Sequence, residues 1–284
     1  MSEIGITRAR VLAAEEIDRF HDNGAAVLRG ILHHSWITRM QTAVDRSLDA
    51  PGEAAIEYTA KGKSGRYLGD FFMWLRDPEF RALMMDSPLP EVAAQIMNAN
   101  EVHFLYDQLL VKEPMTEEET PWHQDLPYWP VRGYDVMSCW VPFDPVTIAA
   151  GAVHYIKGSH KWGKMFRPQS FSSQSVTNKT YDDSAFEPMP DIAANVDEYE
   201  LLAWEMEPGD ILIHHSLTVH WAPGNLTDGR RRGLALRYTG DDATYDARPG
   251  TFIWFPTMAS IKEQITLSDG EPMGGPIFPK VWPR

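Results

Sequence analysis

Cysteine is nearly missing from this chain. Cys139 stands alone among 284 residues, so an intrachain disulfide cannot form and a thiolate zinc site is excluded. Long apolar runs are missing too: none reaches the roughly 18 residues of a membrane-spanning helix. The opening segment MSEIGITRARVLAAEEIDRF holds no apolar core of the kind a signal peptide carries. Positive charge is scarce. The formal net charge is −14, and a surface of that sign repels phosphate backbones and anionic lipid. These absences lead us to expect a soluble cytoplasmic protein that binds neither nucleic acid nor membrane.

What is present is ordinary globular composition. Hydrophobic residues make up 43% and charged residues 23%, enough apolar material for a packed core. The length suits one generous domain over 1–284. Ten tryptophans are many. Several sit in Pro- and Gly-rich stretches such as PWHQDLPYWP and TFIWFP, where they either pack the core or line a pocket for an apolar ligand.

Periodicity predicts a helix over 14–23, ended by Gly24, and a second over 34–48, closed by Asp49 and Pro51. Residues 25–29 read as a short buried strand, and 78–99 as two short helices around Pro88 and Pro90. The stretch 57–74 has no clear period, and Gly69-Asp70 reads there as a turn. From about Glu101 the texture changes. VHFLYDQLLVK, VMSCWVPF, GAVHYIKGSH, PGDILIH and RGLALRYT are short apolar runs between turn residues, the pattern of a barrel or jelly roll. The simplest arrangement is mostly β with flanking helices, the helices packed outside a β-core of about residues 100–240. The polar segment 165–198 reads as a surface loop or lid. The segment 243–284, rich in proline and aromatics, reads as a surface wrap.

Ten histidines make any metal site a question of spacing. In Trp122-His123-Gln124-Asp125, His123 and Asp125 are two apart, so a strand or its frayed end would turn both to one face. A lone His-x-Asp is a weak signal. A second segment strengthens it: His220 falls in the connection that follows the strand 211–213, before the turn Pro223-Gly224-Asn225. Two histidines and one carboxylate on one face of an octahedral metal leave positions open, which suits non-haem iron(II) and oxygen chemistry. Arg231 comes eleven residues after His220, at the start of the next strand, where a guanidinium could hold a carboxylate in a bidentate pair. His214 and His215 are adjacent and must face opposite sides; one of them competes with His220. Arg230 and Arg232 fall on the face opposite Arg231. His154 reads as a strand residue, and His160 as a structural residue of the Gly-Ser-His turn.

In three of these stretches, HQDLPYWPVRGYD at 123–135, GAVHYIKGSHK at 151–161 and HWAPGNLTDGRRRGLALRY at 220–238, the chain resembles the phytanoyl-CoA dioxygenase family. The shared pattern is a His-x-Asp, a Gly-Ser-His turn, a distal His and an Arg about eleven residues later. The resemblance covers about residues 100–240. It implies a double-stranded β-helix, the cupin-like jelly roll, with His123, Asp125 and His220 as iron(II) ligands and Arg231 on the distal carboxylate of 2-oxoglutarate. It places Gln108 and Trp140 on strands that line the cosubstrate site. It implies a dioxygenase that consumes O2, decarboxylates 2-oxoglutarate to succinate and hydroxylates a small-molecule substrate. Asp125 fills the position that halogenases of this fold leave to a small residue, so halogenation is not expected.

Two other readings share the donor set. A cupin-like metal-binding protein or isomerase has no need of a carboxylate clamp at Arg231, and two histidines with a carboxylate also suit catalytic zinc. The aromatic segments favour a compact, partly apolar substrate. The acidic surface disfavours an acyl-CoA unless Lys61, Lys63 and Arg66 meet its phosphates. Residues 67–74 and 252–255, aromatic yet aperiodic, are expected to close the substrate pocket.

Overall fold

The computed structural model describes residues 7–168 and 186–284. Four helices form where periodicity placed them. Helix α1 (Ala14–Asn23) starts with the Glu16 carboxylate accepting from the Ala13 N–H, and it stops at Gly24, whose φ of 81° suits a residue without a Cβ. Helix α2 (His34–Asp49) buries Trp36, Ile37, Met40, Ala43, Val44 and Ser47, one stripe at helical spacing. Helix α3 (Pro78–Asp86) opens on Pro at its first position with Asp77 capping the Glu79 N–H, and α4 (Leu89–Met97) ends on a left-handed Asn98.

The strands are β1 (Ala25–Leu28), β2 (Ile56–Glu57), β3 (Tyr67–Phe71), β4 (Val102–Lys112), β5 (Thr120–His123), β6 (Val131–Arg132), β7 (Val136–Pro142), β8 (His154–Ile156), β9 (Leu201–Leu202), β10 (Ile211–His215), β11 (His220–Ala222), β12 (Arg231–Thr239), β13 (Thr244–Tyr245) and β14 (Lys280–Trp282). The major sheet runs β1-β10-β7-β12-β4-β3-β2, with β14 also paired to β4; the minor sheet runs β5-β11-β8-β9. Among the described residues these strands all pair antiparallel. This is the jelly-roll arrangement, with a cavity between the two sheets.

Strand alternation sorts side chains to two sides of the major sheet. On β12, Leu234, Leu236 and Tyr238 join the large core that also holds Trp36, Met40, Phe80 and Val92 of the helices. Arg231, Ala235 and Arg237 point the other way and line the cavity. Helices therefore pack on one face of this sheet and leave the other for chemistry.

Three sequence expectations change. Gly69 and Asp70 are not a turn: they lie within β3, where a Cβ on Gly69 would meet the Tyr58 ring at 2.5 Å, and buried Asp70 pairs with Arg76. Small size under an aromatic ring, rather than turn geometry, explains that glycine. The segment 243–284 is more than a wrap, because β14 joins the major sheet and Phe252, Ile253, Met258, Phe278 and Val281 are buried in the main core. His220 lies within a strand instead of a connection. Of the expected lid at 165–198, residues 169–185 lie outside the described residues.

Candidate active site

Strand β5 ends at His123, and the chain then turns. Asp125 has helical dihedrals (φ −78°, ψ −44°) at the head of a short 3-10 turn. Asp125 and Leu126 both donate their N–H to the Ser216 carbonyl at 3.0 Å, which pins this turn to the loop after β10. The Gln124 side chain faces away, donating to the Lys164 and Leu217 carbonyls and accepting from the Phe166 N–H. His123 and Asp125 thus share a side through a turn rather than through strand alternation. His220 lies directly across from His123 in the β5–β11 register. The Gly-Ser-His motif supports that placement: Ser159 Oγ accepts from the Val219 N–H at 2.9 Å and donates to the Ile156 carbonyl at 2.8 Å.

The three side chains converge. His123 Nδ1–H donates to the Pro121 carbonyl at 2.8 Å, and His220 Nδ1–H to the Thr218 carbonyl at 2.9 Å. Each ring is thereby fixed in the tautomer that presents an Nε2 lone pair. These Nε2 atoms lie 3.5 and 3.9 Å from Asp125 Oδ1, and one ligand atom from each of the three residues falls within 4.8 Å of the others. All three residues are buried. Burial, reinforced by His123, drives the His220 imidazole well below its ordinary value and keeps it neutral. Burial alone would raise Asp125, but the hydrogen bond from His214 and the Arg237 guanidinium, with the His123 and His220 rings beside it, outweigh that, so the carboxyl is held well below its ordinary range. A neutral His220 and an ionised Asp125 are the protonation states a divalent cation requires.

The second carboxylate oxygen is used differently. Asp125 Oδ2 accepts from His214 Nε2–H at 3.0 Å and from Ser138 Oγ–H at 3.2 Å. His214 Nδ1 in turn accepts from the Tyr155 hydroxyl at 3.1 Å. Both His214 nitrogens are committed, so this ring orients the carboxylate instead of competing with His220. The sequence brought out His214 only as a rival ligand, and it gave no signal for Ser138 or Tyr155. His215, on the opposite face, donates to the Tyr134 carbonyl at 2.8 Å, and His160 bonds the His21 carbonyl at 3.0 Å.

The cavity is lined by this cluster together with Tyr67, Gln108, Trp140, Arg231 and Arg237. Gln108 and Trp140, expected from the resemblance, both reach it. Arg231 is 2% exposed. It donates through Nη1 to the Gly151 carbonyl and lies 5.4 Å over the Trp140 ring, while its Nε has no partner. Gly151, with φ of 90°, admits this contact: a Cβ there would meet the Gly224 and Pro223 carbonyls at 2.9 Å and Arg231 at 3.4 Å. Among the described residues no carboxylate pairs with Arg231, whereas Arg230 and Arg232 face outward onto Glu113, Asp45 and Asp144. Its neighbour in register, Lys112, donates to the Pro223 carbonyl at 2.6 Å, and burial together with Arg231 pushes its amine well below the ordinary value.

The two aromatic segments divide. Tyr67 lines the cavity; Phe71, Phe72 and Phe252 surround Tyr106 one layer back, at 6.0, 5.8 and 4.5 Å between ring centres. Trp74 is buried in the core edge-on to Phe104, and Trp254 is 37% exposed beneath Lys262. Neither tryptophan borders the cavity. Lys63 and Arg66 form half-exposed ion pairs with Glu117 and Glu57. No described helix is long and apolar enough to cross a membrane.

Comparison with known proteins places these features in a lineage. The family model for phytanoyl-CoA dioxygenase matches residues 20–233. A probable phytanoyl-CoA dioxygenase of Caenorhabditis elegans is 29% identical over 146 residues, covering 49% of this chain and 43% of that protein. The peroxisomal phytanoyl-CoA dioxygenase of Rattus norvegicus is 23% identical over 255 residues, covering 85% and 72%. Among solved structures, the non-haem alpha-ketoglutarate-dependent carbocyclase SnoK from nogalamycin biosynthesis superposes with a TM-score of 0.73 at 23% identity, covering 98% of this chain and 99% of that one. The match thus spans less than half of the nematode protein but nearly all of SnoK.

Proposed function

This chain belongs to the phytanoyl-CoA dioxygenase family, a 2-oxoglutarate-dependent non-haem iron dioxygenase, and from that premise we propose that it hydroxylates a small, partly apolar metabolite. His123, Asp125 and His220 hold the iron, and Arg231 holds the far carboxylate of 2-oxoglutarate. The observation that carries the reading is the pairing, in one cavity, of a converging His/Asp/His set with a buried guanidinium that lacks an anion. A cupin-like isomerase or a zinc hydrolase accounts for the first and leaves the second unexplained.

The residues fit both groups. The two imidazole Nε2 atoms and the ionised carboxylate suit a borderline divalent metal. A buried unpaired guanidinium is costly, and a carboxylate arriving on its free edge compensates that cost. When bound, iron and 2-oxoglutarate supply the oxidising chemistry; the protein's part is placement. Ser138 and His214 hold Asp125 by Oδ2, which leaves Oδ1 directed at the metal position. The backbone carbonyls of Pro121 and Thr218 fix the two imidazoles. Trp140 and Gly151 set Arg231. Tyr67, Leu110, Val153 and Ala222 supply dry wall, so that water is kept from the reacting centre.

The test is anaerobic titration with iron(II) and 2-oxoglutarate, followed by succinate release on admitting oxygen. His220→Ala abolishes iron binding. Arg231→Ala raises the 2-oxoglutarate requirement by at least about tenfold, about 1.4 kcal/mol or more, with iron affinity little changed. Retained iron binding in His220→Ala, or retained 2-oxoglutarate affinity in Arg231→Ala, contradicts the assignment.

A further inference from the structure

A second guanidinium lines the same cavity, and the proposed machinery gives it no anion to hold. Arg237 is 4% exposed. It donates through Nη2 to Gln108 Oε1 at 2.7 Å and through Nη1 to the Ala235 carbonyl at 3.2 Å. Its Cζ lies 4.5 Å from the Tyr106 ring centre and 5.6 Å from that of Trp129. Its Nε has no partner, and no carboxylate among the described residues lies within ion-pair distance. Asp125 does not serve as that partner, because its Oδ2 already accepts from Ser138 and His214 and its Oδ1 faces the two ligand imidazoles.

Position separates Arg237 from the cosubstrate clamp. It lies six residues along β12 from Arg231 on the same face, a Cα separation of about 20 Å at strand rise. In register it sits between Ser138 of β7 and Tyr106 of β4, in the row where Ser138 reaches Asp125. Arg237 therefore lies at the Asp125 end of the cavity, with Arg231 about 20 Å along the strand from it, so the far carboxylate of 2-oxoglutarate held on Arg231 does not reach Arg237. Charge makes the same distinction. Iron(II), the Asp125 carboxylate, the doubly anionic cosubstrate and the Arg231 guanidinium sum to zero. Arg237 then leaves one positive charge in a buried cavity, which is unfavourable until an anion neutralises it.

Resting on the active-site reading above, we infer that Arg237, held by Gln108 and flanked by Tyr106 and Trp129, receives an oxyanion of the primary substrate, most simply a carboxylate. The substrate class is then a small apolar monoacid, bound with its acid group on Arg237 and its apolar body beside the metal. Gln108 acts as the positioning residue, its amide oxygen on Arg237 and its amide nitrogen 3.3 Å from the Tyr58 hydroxyl. The guanidinium offers five N–H donors in a fixed fork, of which the protein uses two.

The test uses monocarboxylates from acetate to dodecanoate, with cyclohexanecarboxylate and benzoate, each against its primary amide. Binding is read as thermal stabilisation and by calorimetry on protein holding iron(II) and 2-oxoglutarate under nitrogen. The expected result is that one or more acids bind the wild type at least about tenfold more tightly than their amides. Arg237→Gln abolishes that preference, Arg237→Lys retains part of it, and both keep 2-oxoglutarate affinity within about twofold. The inference is overturned if no acid outbinds its amide on the wild type, a comparison that needs no variant to fold, or if Arg237→Gln keeps the preference. Loss of 2-oxoglutarate binding by the wild type would instead break the active-site reading, so the two failures are distinct.

Discussion

At the scale of single residues, protonation and hydrogen-bond bookkeeping separate roles that residue type leaves open. Three histidines crowd Asp125, and any two of them could serve a metal. His123 and His220 give Nδ1–H to backbone carbonyls, whereas His214 is used on both sides, by Asp125 and Tyr155. A ring that orients a ligating carboxylate tunes affinity without providing it. His214→Ala is therefore expected to keep one iron per chain and to weaken its binding roughly 10–100-fold, by contrast with the complete loss in His220→Ala. Competition of each variant against a chelator of known iron affinity measures the difference; complete loss in His214→Ala would make that ring a ligand.

At the scale of elements, β12 carries much of the functional design because its alternation points Arg231, Gly233, Ala235 and Arg237 to one side. Gly233 is the narrow point. A Cβ there would meet the Trp140 indole at 2.1 Å, and Trp140 is the wall against which Arg231 lies. Gly233→Ala is expected to push the indole into the cosubstrate space, raising the 2-oxoglutarate dissociation constant at least about tenfold and costing about 1–3 kcal/mol of stability through overpacking. Calorimetry with 2-oxoglutarate beside a denaturant midpoint checks both. The aromatic segments before and after the β-core divide by burial. Trp74→Ala is expected to cost about 3–5 kcal/mol, as a core aromatic does, while Trp254→Ala should stay within about 0.5 kcal/mol. Melting temperatures rank the two, and equal losses would show that Trp254 is better anchored than its exposure implies.

At the scale of the whole molecule, one buried acid on the helix side of β4 couples stability to pH. Asp107 is fully buried, accepts from the Trp74 N–H at 3.1 Å and leaves Oδ1 without a partner. Desolvation lifts its carboxyl to about 7. A value raised in the fold means the folded state holds the proton more tightly than the unfolded chain. The stabilisation is complete below about pH 4 and is lost as pH rises towards 7. Asp107→Asn, which keeps an acceptor and removes the charge, should match the wild type near pH 4 and exceed it above pH 7 by up to about 4 kcal/mol. Chemical denaturation across that range reads the effect, and parallel curves for the two proteins would show that Asp107 does not titrate there.

Much of this was legible in the sequence because it depends on short-range pattern. Helical spacing located α1 and α2, the proline pair divided α3 from α4, and short apolar runs between turn residues announced a barrel or jelly roll, which the family resemblance narrowed to the latter. His123, Asp125, His220 and Arg231 stood out through fixed spacings, Arg231 by its place eleven residues after His220 and by the family resemblance, with alternation setting Arg230 and Arg232 on the other face. Contact between segments far apart in sequence stayed hidden. Gly69 read as a turn because glycine's freedom is visible locally and the Tyr58 ring above it is not. The segment 243–284 read as a wrap because no periodicity marks a single edge strand such as β14. His214 could not be told from a ligand until Tyr155 and Asp125, 59 and 89 residues away, were seen to take its two nitrogens. Arg237 drew no notice at all, although it shares Arg231's parity on β12. Only the tertiary structure shows that it is buried, bonded to Gln108 and without an anion, because charge becomes informative when the fold removes the water that would have neutralised it.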